Sequence, residues 1–246
     1  MTFEHYYYEA KSQQTRLNKT TGKEEIMKEE NKNSYESLKA LYYSGKVKPS
    51  LNKILPALEE NPKDLKLTLL ACAVLERTKD FDTLITYADN VIKLAPEMTD
   101  GYYYKGVALQ FVKGREQEAV KNFNKALDLD PNNLHCLKSK ATTHLLLFKD
   151  FDLPIKFADK HRIKAETSLL KVVALVEEKE DATYKELFIL AEVNMMMDQA
   201  LNAKMYYLKA VNDYEATDPS EQDKNIYKDI IKAQKKCIKQ LEKFTE

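Results

Sequence analysis

Four histidines (His5, His135, His144 and His161) and three cysteines (Cys72, Cys136 and Cys237) are the obvious candidates for metal or nucleophilic chemistry in this 246-residue sequence. Zinc and redox sites need such residues a few positions apart, so that one turn or loop delivers them together. No C-x-x-C occurs here, and no histidine stands at a metal-ligand spacing from a cysteine or carboxylate. GxxxxGK[ST], GxGxxG and GxSxG are also missing, so the sequence offers no phosphate cradle and no nucleophile elbow. Carboxylates are abundant, but they stand one helical turn from lysines, as Glu24 does from Lys28, which is the pattern of a solvated helix face. The residues ask for no catalysis, metal or cofactor. The expectation is a protein that is not an enzyme.

Composition narrows the class. Five glycines in 246 residues is about 2%, against an average near 7%, and sheet-rich folds need glycine for their hairpin turns. Lysine plus arginine equals aspartate plus glutamate at 39 each, so no net charge pulls the whole chain toward nucleic acid or an anionic membrane. The odd cysteine count and the helical surroundings predict three buried free thiols, which suits a reducing compartment. Residues 1–10 lack a basic start and an apolar run, and no window approaches the roughly 18 apolar residues of a membrane span. The expected address is the cytoplasm or another reducing interior, that of a cilium included.

What must position any functional residue is a set of helices. Residues 100–133, DGYYYKGVALQFVKGREQEAVKNFNKALDLDPNN, read as two amphipathic helices around a turn at Gly114. Tyr102, Gly106 and Leu109 share one face of the first helix. Ala119, Phe123 and Ala126 line the second, and Pro131 stops it. Counting from the prolines at 62, 96 and 131, the residue eight before each is Ile54, Ala88 or Phe123, and the residue five before is Ala57, Val91 or Ala126. Twelve before, it is Ser50, Leu84 or Ala119. Small and large apolar positions recurring every 34 residues or so are what stacked helical hairpins need. Small residues let helices approach, and large ones fill the gap between hairpins.

This pattern strongly resembles the tetratricopeptide repeat family, in degenerate form over about residues 31–216. The resemblance implies an all-α, right-handed solenoid of helical hairpins. The expected hairpins are 31–60, 65–94, 100–129, 134–161 and 183–216, each two helices around a short turn. Asp64 and Asp82 are the expected N-caps of the helices they precede. Ala203 follows Ala119 by 84 residues, 16 more than two repeats, and the excess predicts an unpaired helix over 164–178. A capping helix is expected over 220–244. Asp218, Pro219, Ser220 and Glu221 have the form of its capping box, and Ile230, Ile231, Cys237 and Leu241 lie on its apolar side.

In the family, positions 2, 5, 9 and 12 of each first helix line a concave groove, which implies partner-binding residues here. They include Tyr35, Lys39 and Tyr42 from the first hairpin, Leu69 from the second, Tyr103 from the third and Lys138 from the fourth. A mix of tyrosine, lysine and aliphatic groups suits a peptide or helix, and the lysines favour an acidic stretch on it. The chaperone-binding members of the family use a clamp of Lys, Asn and Arg. Its positions hold Tyr35 and Lys39, then Leu70, then Asp100 and Tyr104, which do not match. The function expected is therefore a non-catalytic protein–protein interaction scaffold or adaptor subunit of a hetero-complex. The alternative is a transient peptide-binding co-chaperone or an import-receptor-type protein.

Residues 1–30 carry no helical period and read as a polar arm. Phe3, Tyr6, Tyr7 and Tyr8 cluster near its start and are expected to anchor it on apolar surface, in this chain or on a partner. No nucleic-acid partner is expected.

Overall fold

A computed structural model describes residues 34–149 and 155–243. The described residues form eleven α-helices and no strand. They fall into two compact units: residues 34–42 with 46–131, and residues 43–45 with those described from 132 onward.

The first unit contains α1 (Tyr35–Tyr43) as far as Tyr42, α2 (Val47–Glu60), α3 (Leu65–Thr78), α4 (Phe81–Leu94), α5 (Thr99–Leu109) and α6 (Glu116–Leu129). From α2 onward each helix packs on the next, and α3 also reaches α5, which is the neighbour pattern of stacked hairpins. The periodic positions form its core except for Ala57, which is half-buried while Leu58 beside it is buried. Ile54, Ala88, Phe123, Leu84, Ala119, Val91 and Ala126 are all fully buried. Burying a side chain such as Ile54 or Phe123 contributes about 2–3 kcal/mol. Ser50 stands out as the polar member of that register, yet it is also fully buried, because its hydroxyl donates to the Lys46 carbonyl at 2.7 Å.

Glycine matters at two places in this unit. Gly114 has φ +83°, and its turn joins α5 to α6. Gly106 lets the helices touch: a Cβ built there would stand 2.6 Å from Phe123 Cε1. Asp64 caps α3 as expected, accepting from the Leu67 amide at 3.0 Å. The cap of α4 is Asp80, not Asp82. Asp80 accepts from the Thr83 amide, so the helix begins earlier than expected and Asp82 lies inside its first turn.

The second unit contains α7 (Leu134–Phe148), α8 (Ile155–Glu177), α9 (Tyr184–Met196), α10 (Ala200–Ala216) and α11 (Lys224–Glu242). Its pairs are α7 with α8, α9 with α10, and α10 with α11, and α9 also touches α7, α8 and α11. The sequence expectation of one helix ending near 161 and another over 164–178 is corrected. α8 is continuous for 23 residues, against 14 in α6. Residues 155–177 contain no glycine or proline, so nothing interrupts the backbone hydrogen bonds, and the surplus over two repeats goes largely into helix length.

A capping box does occur, but at α9. The Thr183 hydroxyl accepts from the Glu186 amide, and the Glu186 carboxylate accepts from the Thr183 amide. The expected box at Asp218–Glu221 is instead a turn, in which the Glu221 amide donates to the Asp218 carbonyl at 2.8 Å. Asp223 caps α11. Tyr184 ties α9, α10 and α11 together. Its amide donates to Asp213 Oδ2 at 2.6 Å, and its hydroxyl accepts from the Asp223 amide at 3.1 Å. The Tyr184 ring meets Tyr214 edge-on, and Tyr214 stacks on Tyr227 at 4.4 Å.

Candidate interaction surface

The first helices of the hairpins carry the residues the sequence singles out. In the first unit, Tyr35 and Lys39 of α1 are half-buried. Tyr42 and Leu69 differ from the expectation: they are only 7% and 5% exposed, and they fill the unit rather than stand open. The reason is the width of the apolar side of these helices. Eight of the 14 residues of α3 are buried, so an aliphatic residue such as Leu69 goes inward.

Tyr103 of α5 remains half-exposed, and its hydroxyl donates to Glu76 Oε1 of α3 at 3.2 Å. Its ring meets Tyr104 edge-on at 5.2 Å and tilts over Phe123 at 6.4 Å. Asp100 belongs to the same group. Burial pushes the Asp100 carboxyl above its ordinary range. Burial, and then the charges of Glu76 and Asp100, push the Tyr104 phenol up. The Cys72 thiol is fully buried and is raised by burial first, then by the charges of Asp100 and Glu76. The α3–α5 face therefore gathers two carboxylates and two tyrosines. A phenol raised as Tyr104 is cannot ionise near neutrality, so its hydroxyl acts as a hydrogen-bond group and not as a base.

In the second unit Lys138 of α7 is paired with Glu192 of α9 at 2.5 Å, both partly exposed. Its charge is therefore already matched. That partner lies 54 residues on, beyond anything local spacing can indicate. The second unit also joins two histidines that the sequence leaves apart. His144 Nδ1 and His161 Nδ1 are 3.0 Å from each other. His144 is 1% exposed, and its Nε2 has no partner. Burial first, then His161, Lys164 and Lys140, lower its pKa to about 4, so the ring is neutral at ordinary pH. Two rings alone do not make a metal site, and no group of three or more ligating residues occurs among the described residues. All three cysteines are free and buried, as expected. No described helix is long and apolar enough to cross a membrane. The arm residues Phe3, Tyr6, Tyr7 and Tyr8 lie outside the described residues.

No family model matches the sequence, and no curated protein matches it. Solved structures do. A thermophilic tetratricopeptide-repeat protein of Thermus thermophilus, TTC0263, superposes with TM-score 0.58 at 19% identity, covering 82% of this chain and 95% of that one. A crystal structure of MamA matches at TM-score 0.46 and 13% identity, covering 73% of this chain and 95% of that one. The hetero-tetramer Cut9–Hcn1 of APC/C matches at TM-score 0.49 and 16% identity, over 73% of this chain and 30% of that one. The fold argument rests on the first of these: the chain has the all-α tetratricopeptide-repeat fold.

Proposed function

We propose that this protein is a non-catalytic scaffold or adaptor subunit that takes a peptide or helix of a partner on the first helices of its repeats. The observation that carries the reading is the α3–α5 face, where the Tyr103 hydroxyl donates to Glu76 beside half-buried Tyr104 and Asp100. Tyrosine is favoured at interface hot spots because one ring supplies both area and a polar tip. Tyr35 and Lys39 of α1 extend the same chemistry. Lys39 supplies a cation for an acidic stretch, whereas Glu76 and Asp100 call for a basic one, so a partner segment carrying both signs fits this unit. In the second unit Lys138 reaches a partner's acid only by exchanging its bond to Glu192.

The arm joins this reading. Phe3, Tyr6, Tyr7 and Tyr8 anchor it to apolar surface, and deleting residues 2–29 is expected to weaken assembly with little loss of helicity. The expected setting is a stable hetero-complex in the cytoplasm or another reducing interior, a ciliary one included. The transient co-chaperone or import-receptor reading is less well supported, since Leu70 is buried where a clamp asparagine would have to stand open.

Affinity capture with the full chain tests the function. Stoichiometric partners retained through high salt, and lost when Tyr35 and Tyr103 are both replaced by alanine, support it. Capture of heat-shock chaperones that washes off with salt favours the receptor. Turnover of any substrate by the isolated chain rejects both.

A further inference from the structure

Nine large hydrophobic side chains are exposed among the described residues, and six of them sit on two helices of the second unit. Phe157, Ile163 and Leu170 on α8 are 56%, 55% and 51% exposed, and Leu201, Met205 and Leu208 on α10 are 74%, 42% and 47% exposed. Both helices are the second members of their hairpins. On α8 the buried residues are Ala165, Ser168, Leu169, Val172 and Val176, and Ile163 and Leu170 project from the opposite side by helical spacing. On α10 the buried residues are Ala200, Ala203, Tyr207, Ala210 and Tyr214, and Leu201, Met205 and Leu208, at steps of four and three, form one stripe away from them. The Tyr206 hydroxyl donates to Glu177 Oε1 at 2.5 Å, so a side-chain bond joins the end of α8 to α10.

Lysines surround these side chains. Lys156, Lys160, Lys164 and Lys171 are exposed on α8, and Lys204 and Lys209 on α10. Of the acids on these helices, Asp159 and Glu166 both pair with Arg162, Glu177 accepts from Tyr206, and Asp213 accepts from the Tyr184 amide, while Glu178 just past α8 is exposed. Over α8, residues 155–177, four lysines and Arg162 stand against Asp159, Glu166 and Glu177, although the whole chain is neutral.

We propose that this outer layer of the second unit docks on an anionic phospholipid membrane surface, with the lysines over headgroup phosphates and the apolar tips in the headgroup–acyl boundary. Two features favour a bilayer over a protein. Protein interfaces are depleted in lysine, whereas an anionic membrane attracts it. By helical spacing Ile163 and Leu170 also lie together beside the lysine-bearing side of α8, as apolar tips do on an interfacial helix. A lysine stem can lie along such a surface while its ammonium stays with the headgroups. The α3–α5 face belongs to the first unit, and the two readings are tested independently.

The test is flotation of the full chain with vesicles. At low salt it is expected to float with phosphatidylcholine vesicles containing about 30% phosphatidylserine, and not with phosphatidylcholine alone. Lys160→Glu with Lys164→Glu should reduce that binding about tenfold or more, as should Leu201→Ser with Leu208→Ser. The two variants lie on different helices, so a folding defect in one, seen by circular dichroism, leaves the other to decide. Equal binding to neutral vesicles, no binding to anionic ones, or full binding by both folded variants overturns the proposal. Failure to bind vesicles together with Lys160- and Lys164-dependent binding of a polyglutamate peptide also overturns it, and assigns the surface to an acidic protein instead. Capture through Tyr35 and Tyr103 is read separately and stands or falls without this result.

Discussion

The Tyr103 hydroxyl of α5 donates to Glu76 Oε1 of α3 at 3.2 Å, so neighbouring repeats of the first unit are linked by a polar rung at a half-exposed face. A partner that binds there meets a tyrosine already oriented. Replacing Tyr35 and Tyr103 together by alanine is expected to weaken partner binding by several kcal/mol, with a small loss of thermal stability. Titration of the captured partner against both proteins checks this. Normal binding by the variant places the tyrosines outside the site, and unfolding places them in the core.

Gly106→Ala sets two effects against each other. Alanine raises helix propensity by about 1 kcal/mol. The new methyl would stand 2.6 to 2.9 Å from three atoms of the Phe123 ring, which is fully buried and has nowhere to swing. Overpacking of that kind costs about 1–3 kcal/mol, so clash wins and the melting temperature should fall by a few degrees. Gly106→Ala should cost less in a Phe123→Leu background than in the wild type, and a double-mutant cycle measures the coupling.

Tyr184→Phe keeps the ring and its edge contact with Tyr214 but removes the acceptor for the buried Asp223 amide. A stranded buried donor costs about 1–3 kcal/mol. The loss should appear as a lower urea midpoint with faster amide exchange in α11. A midpoint equal to that of the wild type would mean water replaces the hydroxyl at no cost.

The pH dependence follows from His144. Its folded pKa is lowered from the usual 6.5 to about 4, burial being the largest cause, ahead of His161, Lys164 and Lys140. Between those values the unfolded chain binds the proton and the folded chain does not, so stability rises with pH there. The contribution is complete above about 6.5 and is lost as pH falls toward 4. Urea unfolding at pH 7 and pH 5 should show a larger difference for the wild type than for His144→Leu. Equal differences would mean that His144 does not contribute to the acid limit.

The three thiols should resist a disulfide-exchange reagent in the native state, since each is fully buried. Burial also raises Cys72 and Cys237 above their ordinary values, which lowers the thiolate fraction that reacts. All three should react at once in denaturant. Fast modification of one thiol without unfolding would show that its helix opens locally.

Much of the fold was legible because it depends on local repetition. Ile54, Ala88 and Phe123 recur at a helical-hairpin period, and that spacing is enough to bury all three. Helix ends were read less well. Asp80 and Asp82 are equally good caps by type, and only the direction of the chain entering α4 chooses between them. The repeat count also suggested a break near residue 162, whereas nothing in the local sequence of α8 stops a helix.

The sequence by itself determined the helical class, the hairpin register, the buried thiols and the lack of any catalytic motif, because these follow from periodicity and residue type along the chain. Tertiary structure alone decided which first-helix residues stay accessible. It buried Tyr42 and Leu69, left Tyr103 beside Glu76, matched Lys138 to Glu192 and brought His144 to His161. Those outcomes depend on what a neighbouring helix presents 17 to 54 residues away, and spacing within one helix carries no information about that.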